Sequence, residues 1–463
     1  MILYRPALTE CLPVSLLVAC TGLCSAMAAE LDVMVTPRTT VVARDGITGG
    51  GHPVGAGERT LLLYANHKDD FGGSFGTASA FSTDDGLTWE QGSEEWPLPK
   101  MIALWVDRLA SGDLVALGIH WVPDPKRRRE SPPQTPPADA YQIAVSKDHG
   151  LSWTAMEMVI DCPPEIGVVA RPLPHILETK DGDWLMPAYA WSKRGNSAVL
   201  LQSKDHGRHW RVRSVVTTPT AMAKIGARVS TPWLETAISP TSDGALLAIV
   251  RTGSNAKSSL VSVRSTDHGR TWGEPEKLPF AGKFPGLNLL PNGMLTLVTA
   301  LTKNHCRLYL SEDGTGRTWS PAHVISSLTG GNIGVTIAGP NELLITTPAN
   351  RRIDAWSVRI GPRAEPAPDL APPTNIVMRK GILIWTASAN ATAYRVTPIL
   401  IKPGPLYEET EILPYATTQT RDAQPRLELR RQLLLGSVYA FEIAAVDAAG
   451  RVSPTARSQD IQR

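Results

Sequence analysis

Short apolar runs, each closed by a polar turn, recur along the first three-quarters of the chain. Ala78–Phe81, Gln142–Val145, Ser197–Leu201, Leu260–Val263 and Arg307–Leu310 are rich in apolar or β-branched residues and read as strands. Each runs into nearly the same phrase. It is Ser82-Thr-Asp-Asp-Gly-Leu-Thr-Trp89 first, then Ser146-Lys-Asp-His-Gly-Leu-Ser-Trp153 and Ser203-Lys-Asp-His-Gly-Arg-His-Trp210. Ser265-Thr-Asp-His-Gly-Arg-Thr-Trp272 follows, and Ser311-Glu-Asp-Gly-Thr-Gly-Arg-Thr-Trp319 carries one extra residue. Ser and Asp side chains bond back to nearby backbone and Gly supplies a positive φ, so the phrase is a turn and the Trp opens the next strand. Upstream of these hairpins lie further turn signals such as Thr179-Lys-Asp-Gly-Asp183, Ser242-Asp-Gly244 and Pro291-Asn-Gly293. Four strands recurring about every 55 residues make a propeller blade.

The pattern predicts an all-β chain: a six-bladed β-propeller over 31–360, followed by a small β-sandwich. Residues 31–45 are expected to close the ring by adding a strand to the last blade, which has no copy of the phrase. Gly361–Pro373 is Pro-rich and reads as a stiff linker. Beyond it, Ile382–Trp385, Ala393–Val396 and Tyr439–Val446 alternate as strands of a sandwich over 374–463.

At 463 residues the chain has room for two or three domains, and a net charge of +2 gives no reason to expect a nucleic-acid partner. The basic run Lys126–Arg129 sits among prolines and reads as a solvated loop. Residues 1–28 have the form of an export signal: Arg5, an apolar run from Leu12 to Cys24, and Ala26-Met-Ala28 as the cleavage site. That implies a secreted or periplasmic protein. Leu17-Val-Ala-Cys20 offers the alternative of a lipid on Cys20, the one route to a membrane partner. Three of the five Cys lie in this segment, and Cys162 and Cys306 fall in different blades, so no disulfide is expected. There is no phosphate-binding Gly-Lys loop, no His-Glu-x-x-His and no zinc spacing, so neither a cofactor nor a metal is implied. Gly72–Gly76 fits Gly-x-Ser-x-Gly, but in a loop before a hairpin it lacks the strand-to-helix elbow that motif needs.

The fivefold phrase resembles the Asp-box, or BNR repeat, of the sialidase superfamily, and residues 374–463 resemble a fibronectin type III domain. The first resemblance implies a glycan substrate and a fixed kit at one mouth of the channel. Three arginines grip the substrate carboxylate, a Tyr paired with a Glu is the nucleophile, and an Asp is the acid/base. Trp233-Leu-Glu235, the turn at Ser242–Gly244 and Arg251 match the fourth-blade stretch of the family. This makes Glu235 the catalytic carboxylate and Arg251 a substrate-binding cation. Asp69 or Asp70, in the loop after the first inner hairpin, would be the acid. Gly51 stands where the family has its first Arg, leaving His52 as a replacement polar or acid/base group. Lys283 occupies the place of the third Arg without its bidentate fork. Gly330-Gly-Asn-Ile333 replaces the family's Gly-Gly-Tyr-Ser, and no Tyr lies between Ser311 and Arg363. Arg171 and His175 could contribute a guanidinium and a sugar contact, and Trp233 a stacking face. Individually each of these residues also has a purely structural reading, as an ion pair, a loop carboxylate or a packed ring. The resemblance thus implies a sialidase-like glycoside hydrolase without the Tyr nucleophile. A non-catalytic carbohydrate-binding propeller and an exo-alpha-sialidase are the alternatives.

Overall fold

The computed structural model describes residues 31–44, 51–66, 76–94, 96–127, 134–301, 305–327, 332–349, 352–407, 412–429 and 433–462. The proposed export segment, the loop holding Asp69 and Asp70, and residues 72–75 of the Gly-x-Ser-x-Gly stretch lie outside them. Among the described residues, helix is confined to Pro219–Lys224 and a single 3-10 turn at Pro125–Arg127; everything else regular is strand.

Six sheets follow one another along residues 31–362. Each begins with an inner strand: His52–Ala56, Ala103–Arg108, Val168–Pro172, Thr236–Pro240, Lys283–Leu289 and Gly334–Gly339. The first, second, fourth and fifth sheets are plain antiparallel meanders of four strands. The inner strands of the first and second, the fourth and fifth, and the fifth and sixth sheets touch, Trp184–Ser192 of the third sheet reaches Thr236–Pro240 of the fourth, and Gly334–Gly339 returns to His52–Ala56, so the sixth sheet lies against the first. The sixth sheet is completed from the other end of the sequence. Leu31–Val35 pairs with the outer half of Arg352–Pro362, Leu31 facing Pro362 and Val35 facing Val358, and Thr39–Ala43 pairs with the remainder. The ring-closing strand expected from residues 31–45 is thus present.

The repeated phrase forms the same turn each time. In the fourth copy the Ser265 hydroxyl donates to Asp267 Oδ1 (2.8 Å) and accepts from Gly269 N–H (2.8 Å). Asp267 accepts from both the N–H and the hydroxyl of Thr271, at 2.9 and 2.6 Å. The bonds recur at Asp84, Asp148 and Asp205. In the fifth copy the extra residue moves the glycine that bonds Ser311 to Gly316. The Thr271 hydroxyl, then its amide and Ser265, hold the Asp267 carboxyl well below the usual carboxylate range. These carboxylates are anchors of turns.

The glycine of each turn is also the point of contact with the preceding sheet. A Cβ on Gly150 would lie 3.1 Å from Leu61, one on Gly207 2.7 Å from Ile143, and one on Gly269 2.4 Å from Leu200. Gly316 stands in the same relation to Leu247 at 2.4 Å, and Gly86 reaches Leu344 of the sixth sheet at 2.6 Å. Side chains of the preceding sheet seal the contact: Ser357 Oγ donates to Asp85 O (2.7 Å) and Ser214 Oγ to Gly269 O (2.7 Å).

The C-terminal residues form two sheets about one core. Thr374–Arg379, Ile382–Thr386 and Arg426–Glu428 make the smaller sheet. Thr417–Gln419, Ala393–Lys402 and Val438–Val446 make the larger, with Trp385, Tyr394, Tyr439 and Phe441 buried among them. The expected stiff linker takes a different form. Gly361 and Pro362 still belong to the strand Arg352–Pro362, and Ala367 and Leu370 are buried in the C-terminal core. The prolines remove N–H donors, yet Ala367 N–H still reaches Val452 O at 2.6 Å. The larger C-terminal sheet joins the ring directly, because Met34 and Val35 pair in parallel with Thr417 and Thr418. Tyr415 adds a bond to Ser327 Oγ at 2.6 Å, and its hydroxyl stands 3.4 Å from His305 Nε2. Cys162 and Cys306 are both free thiols.

These contacts lead to two predictions. Gly269 has φ +76° with Leu200 in the way, whereas Gly182 has φ +81° with open space around it. Gly182→Ala should cost about 1 kcal/mol through backbone strain alone, and Gly269→Ala at least about 2 kcal/mol, since strain and overpacking add. Urea unfolding of the two variants measures the difference. Burial, and then Arg307, lowers the His305 pKa from 6.5 to about 3, so the folded protein holds it neutral while the unfolded chain protonates it. Its contribution is fully present above pH 6.5 and is lost as pH falls towards about 3. His305→Gln should therefore reduce the pH slope of stability in that window by up to about one proton, measured by urea unfolding at a series of pH values.

Candidate functional site

The sheet register decides which end of the ring can carry chemistry. In the first sheet Thr60 faces Ser82 at the repeated turn, and Ala65 faces Thr77 at the opposite end. In the fourth, Leu246 faces Ser265 and Thr236 faces Val250. The five repeated turns therefore occupy one end of the sheets, and Glu235 and Arg251, just outside the Thr236–Val250 pair, occupy the other.

Glu235 and Arg251 are 4% and 5% exposed, so the two charges meet largely removed from water. Arg251 Nη1 donates to both carboxylate oxygens at 2.6 Å. Its Nε donates to Gly253 O at 2.9 Å, and its Nη2 is bonded to Ser254 Oγ. Phe284 N–H donates to Glu235 Oε2 at 3.3 Å. Phe284 sits in the left-handed region at φ +49°, a conformation that bulky residues adopt only under constraint. Its ring lies 5.5 Å from the Arg251 guanidinium carbon and 5.4 Å from Lys283 Nζ, within cation–π range. Lys283 is itself buried, so the fifth sheet brings a cation and an aromatic face to the pair.

The third sheet supplies the adjoining wall. A bulge between Val169 and Arg171 breaks the register and sets Arg171 opposite Tyr189. Such a bulge re-aims a side chain. The Arg171 guanidinium carbon lies 5.7 Å from the Trp105 ring. Tyr189 is fully buried; burial raises its pKa, with Arg171 and Arg251 opposing and Glu235 reinforcing the shift. Trp233 stands 5.4 Å from Trp191 and 6.4 Å from Tyr189. It is a packed ring at the edge of a hydrophobic cluster, with part of its surface open.

A second group lies nearer the inner hairpins. His52 and His175 meet edge to face with ring centroids 6.1 Å apart. Asp107 accepts from the N–H groups of His175 (2.9 Å) and Ile176 (3.1 Å), and its other oxygen lies 3.6 Å from His175 Nδ1. This holds His175 at φ +77°, again a left-handed residue other than glycine. Burial raises the Asp107 carboxyl above the ordinary range against the pull of His175 and the two amides. Burial, with His175 and Arg171 adding to it, lowers His52 to about 3. Protonation of His52 is thus disfavoured, and its neutral ring can accept a hydrogen bond.

Polar atoms of this region are buried without a hydrogen-bond partner: His52 Nδ1, His175 Nε2 and Arg171 Nε. Unsatisfied buried polar atoms cost stability unless something meets them. Of the residues proposed from sequence, the structure gathers Glu235, Arg251 and Lys283 around Phe284. His52 and His175 meet beside Arg171, and Trp233 packs on Tyr189. Asp69 and Asp70 lie outside the described residues. Sequence reasoning passed over Asp107, Tyr189 and Phe284. The first two do carry a signal, a carboxylate and a phenol inside the otherwise apolar runs Ala103–Arg108 and Trp184–Ser192. Among the described residues no cluster of three His, Cys, Asp or Glu could hold a metal, and no helix is long and apolar enough to cross a membrane.

Removing Arg251 should leave a buried carboxylate without its counter-charge. Arg251→Met is expected to lower stability by about 3–5 kcal/mol, and Glu235→Gln on that background to recover part of it. Urea unfolding of the single and double variants reads both effects.

Comparison with known proteins bears on the fold. A family model described as BNR repeat-like domain matches residues 130–355. The anhydrosialidase of Macrobdella decora is 30% identical over 154 residues, which is 32% of this chain and 18% of that protein. The match thus spans about a fifth of that relative. A protein of unknown function from Dyadobacter fermentans has the same fold, with a TM-score of 0.56 at 18% identity, covering 71% of this chain and 99% of that one. A Hadza microbial sialidase superposes with a TM-score of 0.49 at 18% identity, over 67% of this chain and 65% of the other. Residues 130–355 thus resemble a BNR repeat-like domain, and the match, with the likeness to anhydrosialidase, supports the sialidase superfamily.

Proposed function

We propose that the chain is an exported sialidase-like glycoside hydrolase acting on a terminal or acidic sugar of a glycan. In this reading the six sheets are the blades of a six-bladed β-propeller and residues 374–463 are a fibronectin type III-like sandwich. Residues 1–28 are a signal peptide, with a lipid on Cys20 as the alternative, so the protein acts outside the cytoplasm. The observation that carries the reading is the buried Glu235–Arg251 pair at the end of the ring away from the repeated turns. It is joined there by Lys283, Phe284 and the unpartnered Nε of Arg171.

Arg251 and Arg171 bind the anionic or hydroxylated sugar, and Trp233 offers its open face. Glu235 is the base that activates water, and Asp69 or Asp70 is the acid that protonates the leaving oxygen. Direct attack by water predicts inversion at the anomeric carbon, with the two carboxyl groups roughly 6.5–9.5 Å apart. An exo-alpha-sialidase would need a tyrosine that the stretch Ser311–Arg363 does not contain.

One observation favours a non-catalytic glycan binder: both Glu235 oxygens are held by Arg251, which leaves the carboxylate less free to act as base. A panel of sialosides, uronides and neutral glycosides separates the readings. Hydrolysis with inversion, read by proton NMR of the fresh product, and at least a hundredfold loss of kcat in Glu235→Gln are expected. Hydrolysis unaffected by Glu235→Gln removes the catalytic assignment. Binding without hydrolysis makes the protein a binder.

A further inference from the structure

A cavity of about 630 Å³ opens beside the third and fourth sheets, apart from the Glu235 site. Its walls come from the hairpin around Arg194 and Asn196, the start of the short helix at Thr218–Thr220, and the segment Val229–Pro232. The lining mixes hydroxyls, an amide, a guanidinium and the Glu165 carboxylate with the apolar faces of Ile166, Val215, Pro219 and Pro232. Spaced hydroxyl and amide edges between small apolar faces suit a chain of sugar rings, whose rims are polar and whose faces are not.

The floor of this cavity is also the lead-in to the site. Pro232 O accepts from Trp191 Nε1 (3.0 Å) and from Asn196 Nδ2 (3.3 Å). Ser230 N–H donates to Thr252 O at 2.7 Å, one residue beyond Arg251. A Cβ on Gly253 would lie 2.4 Å from Ser230 Oγ, so the cavity floor and the loop that bonds Arg251 are in close contact. Two residues separate Pro232 from Glu235, and the first of them, Trp233, packs on Trp191 and Tyr189. The cavity is therefore mechanically continuous with both members of the buried pair.

We propose that this cavity is a subsite for the inner sugars of an oligosaccharide whose terminal residue sits at Glu235 and Arg251. The proposal rests on the functional reading above for the class of ligand, but not for turnover, since binding alone tests it. Occupancy would bear on the 229–232 segment and so on the backbone that presents Glu235.

Thr220 is exposed at the cavity rim, so Thr220→Trp fills the space without disturbing the core. Binding is measured by calorimetry on the Glu235→Gln background, to suppress hydrolysis. The probes are a sialylated pentasaccharide against free N-acetylneuraminic acid, and arabinotetraose against arabinose. The expected result is that at least one oligosaccharide binds at least tenfold more tightly than its monosaccharide. Thr220→Trp and Arg194→Ala should then each remove most of that gain while leaving the monosaccharide affinity within about twofold. Equal affinity for oligosaccharide and monosaccharide overturns the subsite, as does a gain that survives Thr220→Trp. Absence of binding by every probe overturns it together with the glycan reading. Hydrolysis of a glycan whose affinity ignores Thr220→Trp overturns the subsite alone.

Discussion

The structure depends on how each repeated turn is seated on the sheet before it. The Asp carboxylate and Ser hydroxyl close the turn locally, but the turn becomes structural only because its glycine lets the backbone lie on Leu61, Ile143, Leu200, Leu247 or Leu344 of the neighbour. A sheet buries one face against the sheet before it and offers the other to the sheet after it. The contact joins each of the first five sheets to the one before it, the first reaching the sixth through Gly86, while the sixth meets the fifth through the close approach of Gly286 to Val335. The carboxylates that repeat most conspicuously are spent on this and are unavailable for chemistry.

With the turns fixed at one end, the other end is left for side chains that would be costly anywhere else. Glu235 and Arg251 are desolvated together, a cost that their bidentate contact and the bonds to Gly253, Ser254 and Phe284 offset. Phe284 and His175 are held in left-handed conformations, and polar atoms of His52, Arg171 and His175 stay unmet. Left-handed residues and unmet polar atoms occur elsewhere in the chain too; here they adjoin the buried ion pair, and the rest of the fold supplies the stability to hold them.

The fold was legible because its signals are local. Each turn is written within eight or nine residues, and the strand preceding it is a short apolar run, so the hairpins could be placed one by one. The Glu235–Arg251 pair was also within reach, because both residues flank one antiparallel pair of strands. Asp107 and Tyr189 stand out as polar groups within apolar runs, but what they meet was not legible, since their partners lie far along the chain: His175 for the first, Arg171 and Arg251 for the second. Nothing in the sequence near Phe284 announces that its amide will bond Glu235. The linker misled for a related reason. Its prolines advertise extension, yet whether an extended segment stays free depends on what lies beside it, and here Ala367 and Leu370 meet the C-terminal core.

The strand Leu31–Val35 sets a condition on how the chain can be assembled. It lies between Arg352–Pro362 on one edge and Thr417–Gln419 on the other, partners that leave the ribosome long after it. During synthesis that strand has no edge to pair with, and pairing across such a separation carries a large loop-closure cost. The sixth sheet is therefore finished late, and its last partner is the C-terminal sheet. A chain cut short after the ring would expose the outer edge of Met34 and Val35, a free edge of the kind that pairs with other chains. In this light the C-terminal module does more than trail behind the ring: it caps the strand that closes it, so completion of the fold waits on the last fifth of the sequence.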